Sequence, residues 1–243
     1  MYIIAVIAVL CAYLVKGMCG FANTLVFSTI MSFTTDNIMI SPIELIVGYP
    51  SNILIAWKER KAISAKICFP LSVLVILGSI PGALFLKNGN TQLIKLLFGF
   101  VVVFIGMEMF FREFQKGKEK TAPAILIILG VLSGILCGLF GIGALLAAYV
   151  SRTTENSSAF KGNICIVFMV ENSFRIILYS VIGIINFEIF KNALLLFPFM
   201  LIGLFAGMFL AKVVSEKIVK NIVIILLILS GLSLIINSIS VFR

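Results

Sequence analysis

An all-α integral membrane protein, made of two inverted repeats, is the fold class this sequence predicts. Three observations carry it: the apolar content, the length of the apolar stretches, and an order of elements that occurs twice. Hydrophobic residues make up 61% of the 243 and charged residues only 12%, with a mean hydropathy of +1.20. A soluble domain is near half apolar and a quarter charged, and a water-facing surface cannot absorb such an excess. Lipid removes that constraint, and helices cross it in spans of roughly 17–25 apolar residues.

Taken in order, a first apolar stretch covers about 3–33 and is interrupted near Gly17–Gly20. Uninterrupted spans follow at about 42–57, 67–86 and 92–111. A second interrupted stretch covers about 124–150, broken at Gly138–Gly143, and is followed by spans at about 159–184, 190–211 and 217–239. Each repeat is therefore a glycine-broken stretch plus three spans. Residues 1–111 form the first repeat, 112–121 a basic cytoplasmic linker, and 122–243 the second. Matched residues support the duplication. Gly78, Gly82, Lys95 and Gly106 correspond to Gly203, Gly207, Lys220 and Gly231 at a constant offset of 125, and Gly17 and Gly20 to Gly138 and Gly141 at 121. The Gly78/Gly82 and Gly203/Gly207 pairs are small-xxx-small motifs, which let helix backbones approach closely.

Glycine breaks free backbone groups, and such breaks are tolerated at membrane depth only beside protein or a wet cavity. Each interrupted stretch crosses once as a bent helix or folds back as a hairpin. Loop charges favour the hairpin. With hairpins, thirteen loop Lys and Arg gather on one side against four (Lys87, Lys95, Lys191 and Arg243) on the other. The positive-inside rule then puts the basic loops in the cytoplasm and both termini outside, in a multi-pass protein of the cell membrane. It also inverts the second repeat relative to the first, an arrangement typical of secondary transporters.

The segments Lys16-Gly17-Met18-Cys19-Gly20-Phe21-Ala22-Asn23 and Gly138-Leu139-Phe140-Gly141-Ile142-Gly143-Ala144 resemble the doubled glycine motif of the TauE/SafE sulfite exporter family. The resemblance covers the whole chain. It implies carriage of sulfur-containing or carboxylated anions such as sulfite and sulfonates. The chain departs from the fuller glycine run at Ala22, Asn23 and Ala144; a side chain at Asn23 narrows the site or adds a hydrogen-bonding group.

A carrier of anions needs a site that stabilises a dehydrated charge, and helix N-termini do this with unpaired amides and the helix dipole. The return arms begin near Phe21 and Ile142, and the glycines of the two breaks, Gly17, Gly20, Gly138, Gly141 and Gly143, are expected to admit a solute to the backbone, or else serve only tight packing. Lys16 beside the first break contacts the anion or neutralises the end of the first arm. Arg175 and Glu171, four apart on one helical face, form a buried salt bridge or an anion-binding Arg with an acid that carries a coupling proton. Tyr49-Pro50-Ser51-Asn52 places Ser51 and Asn52 near a kink, matched by Asn172 and Ser173. Ser41-Pro42-Ile43-Glu44 reads as a helix start with Glu44 in a capping role, and Trp57 as an interface anchor.

The chain has no histidine, which removes the commonest metal ligand and proton shuttle. Five scattered cysteines read as core filler. No cleavable signal is evident, since the first charge is Lys16. The expectation is a secondary transporter of a small anion, with a passive anion channel as the alternative. No enzymatic activity, cofactor, metal or nucleic-acid partner is expected; the expected partners are the anion, membrane lipid and, in a homo-oligomer, further copies of the chain.

Overall fold

The computed structural model describes residues 2–114, 123–154 and 156–214, with scattered positions between 218 and 239. Much of the basic linker, including Lys116, Lys118 and Lys120, lies outside the described residues. The described elements are helical. They are α1 (Tyr2–Cys19), α2 (Asn23–Met31), α3 (Asn37–Lys58), α4 (Ala65–Asn88), α5 (Thr91–Phe114), α6 (Pro123–Phe140), α7 (Ala144–Thr153), α8 (Ser157–Val181) and α9 (Phe187–Leu210), with a short 3-10 turn at Arg60–Ala62. The described positions from 218 onward are helical too. Among the described residues, six helices are long and apolar enough to span a bilayer, namely α1, α3, α4, α5, α8 and α9, and the shorter 127–140 segment of α6 is apolar as well.

Burial runs opposite to that of a soluble protein. Phe187 is 81% exposed, Ile177 64% and Phe209 66%, whereas Lys16, Glu44, Glu171 and Arg175 are all within 3% of full burial. Apolar side chains face outward because the surrounding medium is lipid, and charge is gathered inward because each ion in hydrocarbon costs about 3 kcal/mol or more. The chain is an all-α, multi-pass membrane protein.

The breaks fall slightly later than the sequence suggests. The helices continue through Gly17 and Gly138 and end at Cys19 and Phe140. The chain then turns through Gly20 (φ 84) and Ala22 (φ 71) in the first break and Gly141 (φ 74) in the second. Gly17 and Gly138 pack instead: a Cβ at Gly17 would meet the α9 backbone at Met208, and one at Gly138 the α4 backbone at Ser79. Partners are exchanged across the chain. The α6 backbone lies against Gly78 and Gly82 of α4, and the α1 backbone against Gly203 and Gly207 of α9, as small-xxx-small pairs permit.

Both breaks reverse the chain. Tyr13 and Asn23, on either side of the first break, bond to the same Glu44 oxygen; a straight helix would separate residues ten apart by about 15 Å. Reversal at the second break follows from loop contacts. Asn163 of α8 accepts from the Ser64 amide at 2.8 Å and donates to the Ala62 carbonyl at 3.2 Å, and Ser158 donates to Glu59. The α3–α4 turn and the start of α8 thus share one end of the molecule. Two full spans, α4 and α5, lie between them, so α6 and α7 together make no net crossing.

Helix α3 corrects one local expectation. It starts at Asn37 after Asp36, so Pro42 and Glu44 lie inside it. The apolar residues Ile38, Met39 and Ile40 extend the helix by more than a turn ahead of the Ser-Pro pair, and Glu44 is left free of any capping role. Trp57 is 70% exposed and stacks with Arg60, whose Cζ is 5.1 Å from the ring centroid.

Candidate functional site

The site grows from one face of α3. Glu44, Gly48 and Asn52 recur every four residues, so they form a single stripe along the helix. Tyr13 and Lys16, a turn apart near the end of α1, lie against that stripe. The Tyr13 hydroxyl donates to Glu44 Oε1 at 3.3 Å and Lys16 Nζ donates to Asn52 Oδ1 at 2.7 Å. Asn23, the first residue of α2, also donates to Glu44 Oε1. Gly48 makes the convergence possible: a Cβ there would sit 3.0 Å from Glu44 Oε1 and 3.1 Å from the Tyr13 hydroxyl.

Helix α8 supplies the opposite wall with Phe168, Asn172 and Arg175, and Glu171 stands behind Arg175. Arg175 Nη1 donates to the Cys137 carbonyl at the end of α6, and Nη2 to Asn172 Oδ1 at 3.1 Å. Its Nε stands 3.3 Å from Glu171 Oε1, which also accepts from the Ser79 hydroxyl of α4 at 3.1 Å. Tyr179, one turn further on, donates to the Gly138 carbonyl at 2.7 Å, and its ring centroid lies 5.7 Å from Arg175 Cζ. Both halves of the α8 face therefore hold the carbonyl end of α6, where the Cys137 carbonyl also accepts from the Gly141 amide at 2.8 Å.

Between these walls is a cavity of about 10 Å3 lined by Lys16, Asn23, Thr24, Glu44, Gly48, Asn52, Gly141, Phe168, Asn172 and Arg175. Its ionic and amide side chains are only 1–6% exposed. A neighbouring cavity, also about 10 Å3, runs along the two breaks between Phe21–Leu25 and Gly143–Ala144. The breaks touch: a Cβ at Gly141 would stand 2.9 Å from the Thr24 methyl. The first intrahelical bonds are Val26 to Ala22 in α2 and Ala147 to Gly143 in α7, and neither Ala22 nor Gly143 offers a side-chain cap. The amides of residues 23–25 and 144–146 thus precede the first helical bond and lack helical partners. A third cavity of about 50 Å3 lies beyond Lys16, lined by Gly17, Gly20, Ile55, Lys58, Glu59, Lys161, Met208 and Ala211.

The residues expected from the sequence are distributed as follows. Lys16, Asn23, Asn52, Gly141, Asn172 and Arg175 meet at the central cavity, and Phe21 and Gly143 line the one beside it. Glu171 lies behind Arg175. Ile142 is fully buried at the second break, and Gly20 with Gly17 faces the third cavity. Gly138 packs on α4 as described. Ser51 turns back to its own helix, donating to the Gly48 carbonyl at 2.6 Å, and Ser173 bridges helices by accepting from Tyr49 at 2.9 Å. Sequence reasoning missed Tyr13, Thr24, Gly48, Phe168, Ser79 and Tyr179 and misread Glu44. The i, i+4, i+8 spacing of Glu44, Gly48 and Asn52 was the available signal.

Helices broken inside an apolar bundle, with ionisable side chains gathered at the breaks, define a multi-pass membrane protein of the transporter class. The profile of the sulfite exporter TauE/SafE family matches residues 5–234. The chain belongs to that family, whose membership implies a membrane exporter of sulfite or related anions. No curated protein and no solved structure matches the chain.

Proposed function

We propose that the protein is a secondary carrier of a small anion, sulfite or an organic sulfonate, and that it works by alternating access around the paired broken helices. The observation that carries this reading is the meeting of both breaks at two adjoining cavities, one lined by the buried cations Lys16 and Arg175 and the other by the starts of α2 and α7. Each helix start presents about half a positive charge, in a medium where water cannot compete. Lys16, Asn23, Asn52, Asn172 and Arg175 are the side chains proposed to contact the solute, together with the backbone at Phe21, Gly141 and Gly143.

A cavity of about 10 Å3 has room for about one water, so a four-atom anion enters only if helices move. That requirement favours a carrier over a standing anion pore. The tight backbone pairs α1/α9 and α4/α6 are suited to act as stiff bodies, with α3 and α8 forming the surfaces between them. In this proposal the two repeats, 1–111 and 122–243, are inverted, and the exchange of packing partners supports that symmetry. The end carrying Arg60, Lys61, Lys161 and the 112–121 linker is cytoplasmic, because it gathers most of the basic loop residues. The cavity holding Lys58 and Lys161 would then be the cytoplasmic approach.

Counterflow in proteoliposomes tests the reading. Labelled sulfite or methanesulfonate should exchange saturably against unlabelled anion, and cations or neutral solutes should not replace it. Unitary currents without saturable exchange would indicate a channel, and no anion response would remove the proposal.

A further inference from the structure

We propose that Glu44 is a proton-binding site, and that a proton on its carboxylate accompanies the anion into the central cavity. The inference rests on the anion reading above and adds the identity of the coupled ion. Lys16, Arg175 and Glu44 are buried around one small cavity, with Glu171 buried behind Arg175, and with all four ionised their charges cancel. An added monoanion leaves an uncompensated charge in a dry interior, where such charge is strongly disfavoured. Uptake of one proton restores neutrality.

The two acids are not equivalent. Glu171 is fixed beside Arg175, a side chain that donates only and stays charged. Glu44 makes no ion pair within 4 Å among the described residues. Its partners are the Tyr13 hydroxyl and the Asn23 amide. A hydroxyl can donate to a carboxylate or accept from a carboxylic acid, and an amide can turn its oxygen inward, so this surrounding suits either protonation state. Glu44 also lines the cavity itself, whereas Glu171 stands behind it. The titratable and charged groups that interact with Glu44 are Tyr13 and Lys16 from α1, Glu171 and Arg175 from α8, and Cys137 from α6. From the other elements packed on α3, Glu188 and Lys191 of α9 are exposed, and Lys95 of α5 is paired with Asp36 at 2.7 Å.

The proton comes from solvent on the side where the anion enters and returns to solvent where it leaves. No covalent step is involved. The test is the affinity of purified full-length protein for sulfite and, separately, methanesulfonate between about pH 5 and 8. In the native protein, affinity should fall as pH rises, approaching about tenfold per pH unit for one linked proton. Glu44→Gln should flatten that fall and bind more tightly than the native protein at the alkaline end, while Glu171→Asp, which keeps the negative charge beside Arg175, should retain the slope. Comparing variants at the same anion cancels the anion's own titration. Tyr13→Phe, which removes a donor to the ionised carboxylate, should move the fall to higher pH, and it carries the test if Glu44→Gln does not fold. Equal slopes in the native protein and Glu44→Gln, an unshifted Tyr13→Phe profile, or a slope lost in Glu171→Asp would overturn the proposal. Anion binding without pH dependence would overturn it while leaving the anion reading intact; no anion binding at any pH would remove both.

Discussion

Ala22 holds a backbone conformation that glycine adopts more easily. Its φ of 71 and ψ of 2 lie in the left-handed region, which costs a residue bearing a Cβ about 1–2 kcal/mol. Glycine there loses about 0.5–1 kcal/mol more chain entropy on folding. Ala22→Gly is therefore expected to stabilise the protein by up to about 1 kcal/mol, read as a higher midpoint in a detergent thermal-shift assay; a lower midpoint would contradict the strain. Arg175 gives a sharper residue-scale test, because its removal leaves Glu171 buried without a partner. Arg175→Ala alone should cost about 3–5 kcal/mol of stability. Adding Glu171→Gln should recover much of that loss but none of the anion binding. If the stabilised double variant still binds anion with native affinity, Arg175 serves packing alone.

At the scale of elements, glycine pairs set how closely the helices lie. A Cβ at Gly82 would press on the carbonyl of Ile135 and come within 3.1 Å of Gly138 Cα. Both are backbone atoms that cannot turn aside. Gly82→Ala should cost about 1–3 kcal/mol by overpacking, measured as a fall in thermal midpoint; an unchanged midpoint would mean that α4 and α6 separate easily. These pairs were legible in the sequence because small-xxx-small spacing has a fixed helical meaning. The break positions were less so. Gly17-Met18-Cys19-Gly20 contains two glycines, and only backbone geometry distinguishes Gly17, which lets α9 approach, from Gly20, which takes a positive φ. The start of α3 was misread for a related reason. Ser41-Pro42 has the form of a helix start, but the apolar residues before it continue the packed face.

For the whole molecule, loop charge was informative because it reports which ends lie together. The grouping of Lys58, Arg60 and Lys61 with Lys161 agrees with the contacts of Asn163 to Ala62 and Ser64. Single cysteines at Arg60 and Ser158, in a background lacking Cys11, should react with an impermeant thiol reagent from the same side, and one at Asn90 from the opposite side. Reaction of Asn90 and Ser158 from one side would contradict the reversal at the second break. The central cavity was only partly legible. Lys16 and Arg175 stand out because charge within an apolar span is rare, Asn52 because it follows Pro50 near the middle of a span, and Asn172 because it stands at the matching place in the second half. Tyr13, Thr24 and Phe168 are ordinary members of apolar helices, and their roles depend on which way each helix faces. Glu44 was hidden by a plausible local role, which one hydrogen bond from a residue 21 positions away replaces.

The claim on which the account depends is that a dehydrated anion sits where the two breaks meet. Selenite, a heavier analogue of sulfite, can be located by anomalous scattering in crystals of the protein. The expected result is a selenium peak between Lys16 and Arg175, within hydrogen-bonding distance of the first amides of α2 or α7, with the surrounding helices parted to admit it. Selenium found only on the basic loops, with the central cavity still closed, would contradict the account.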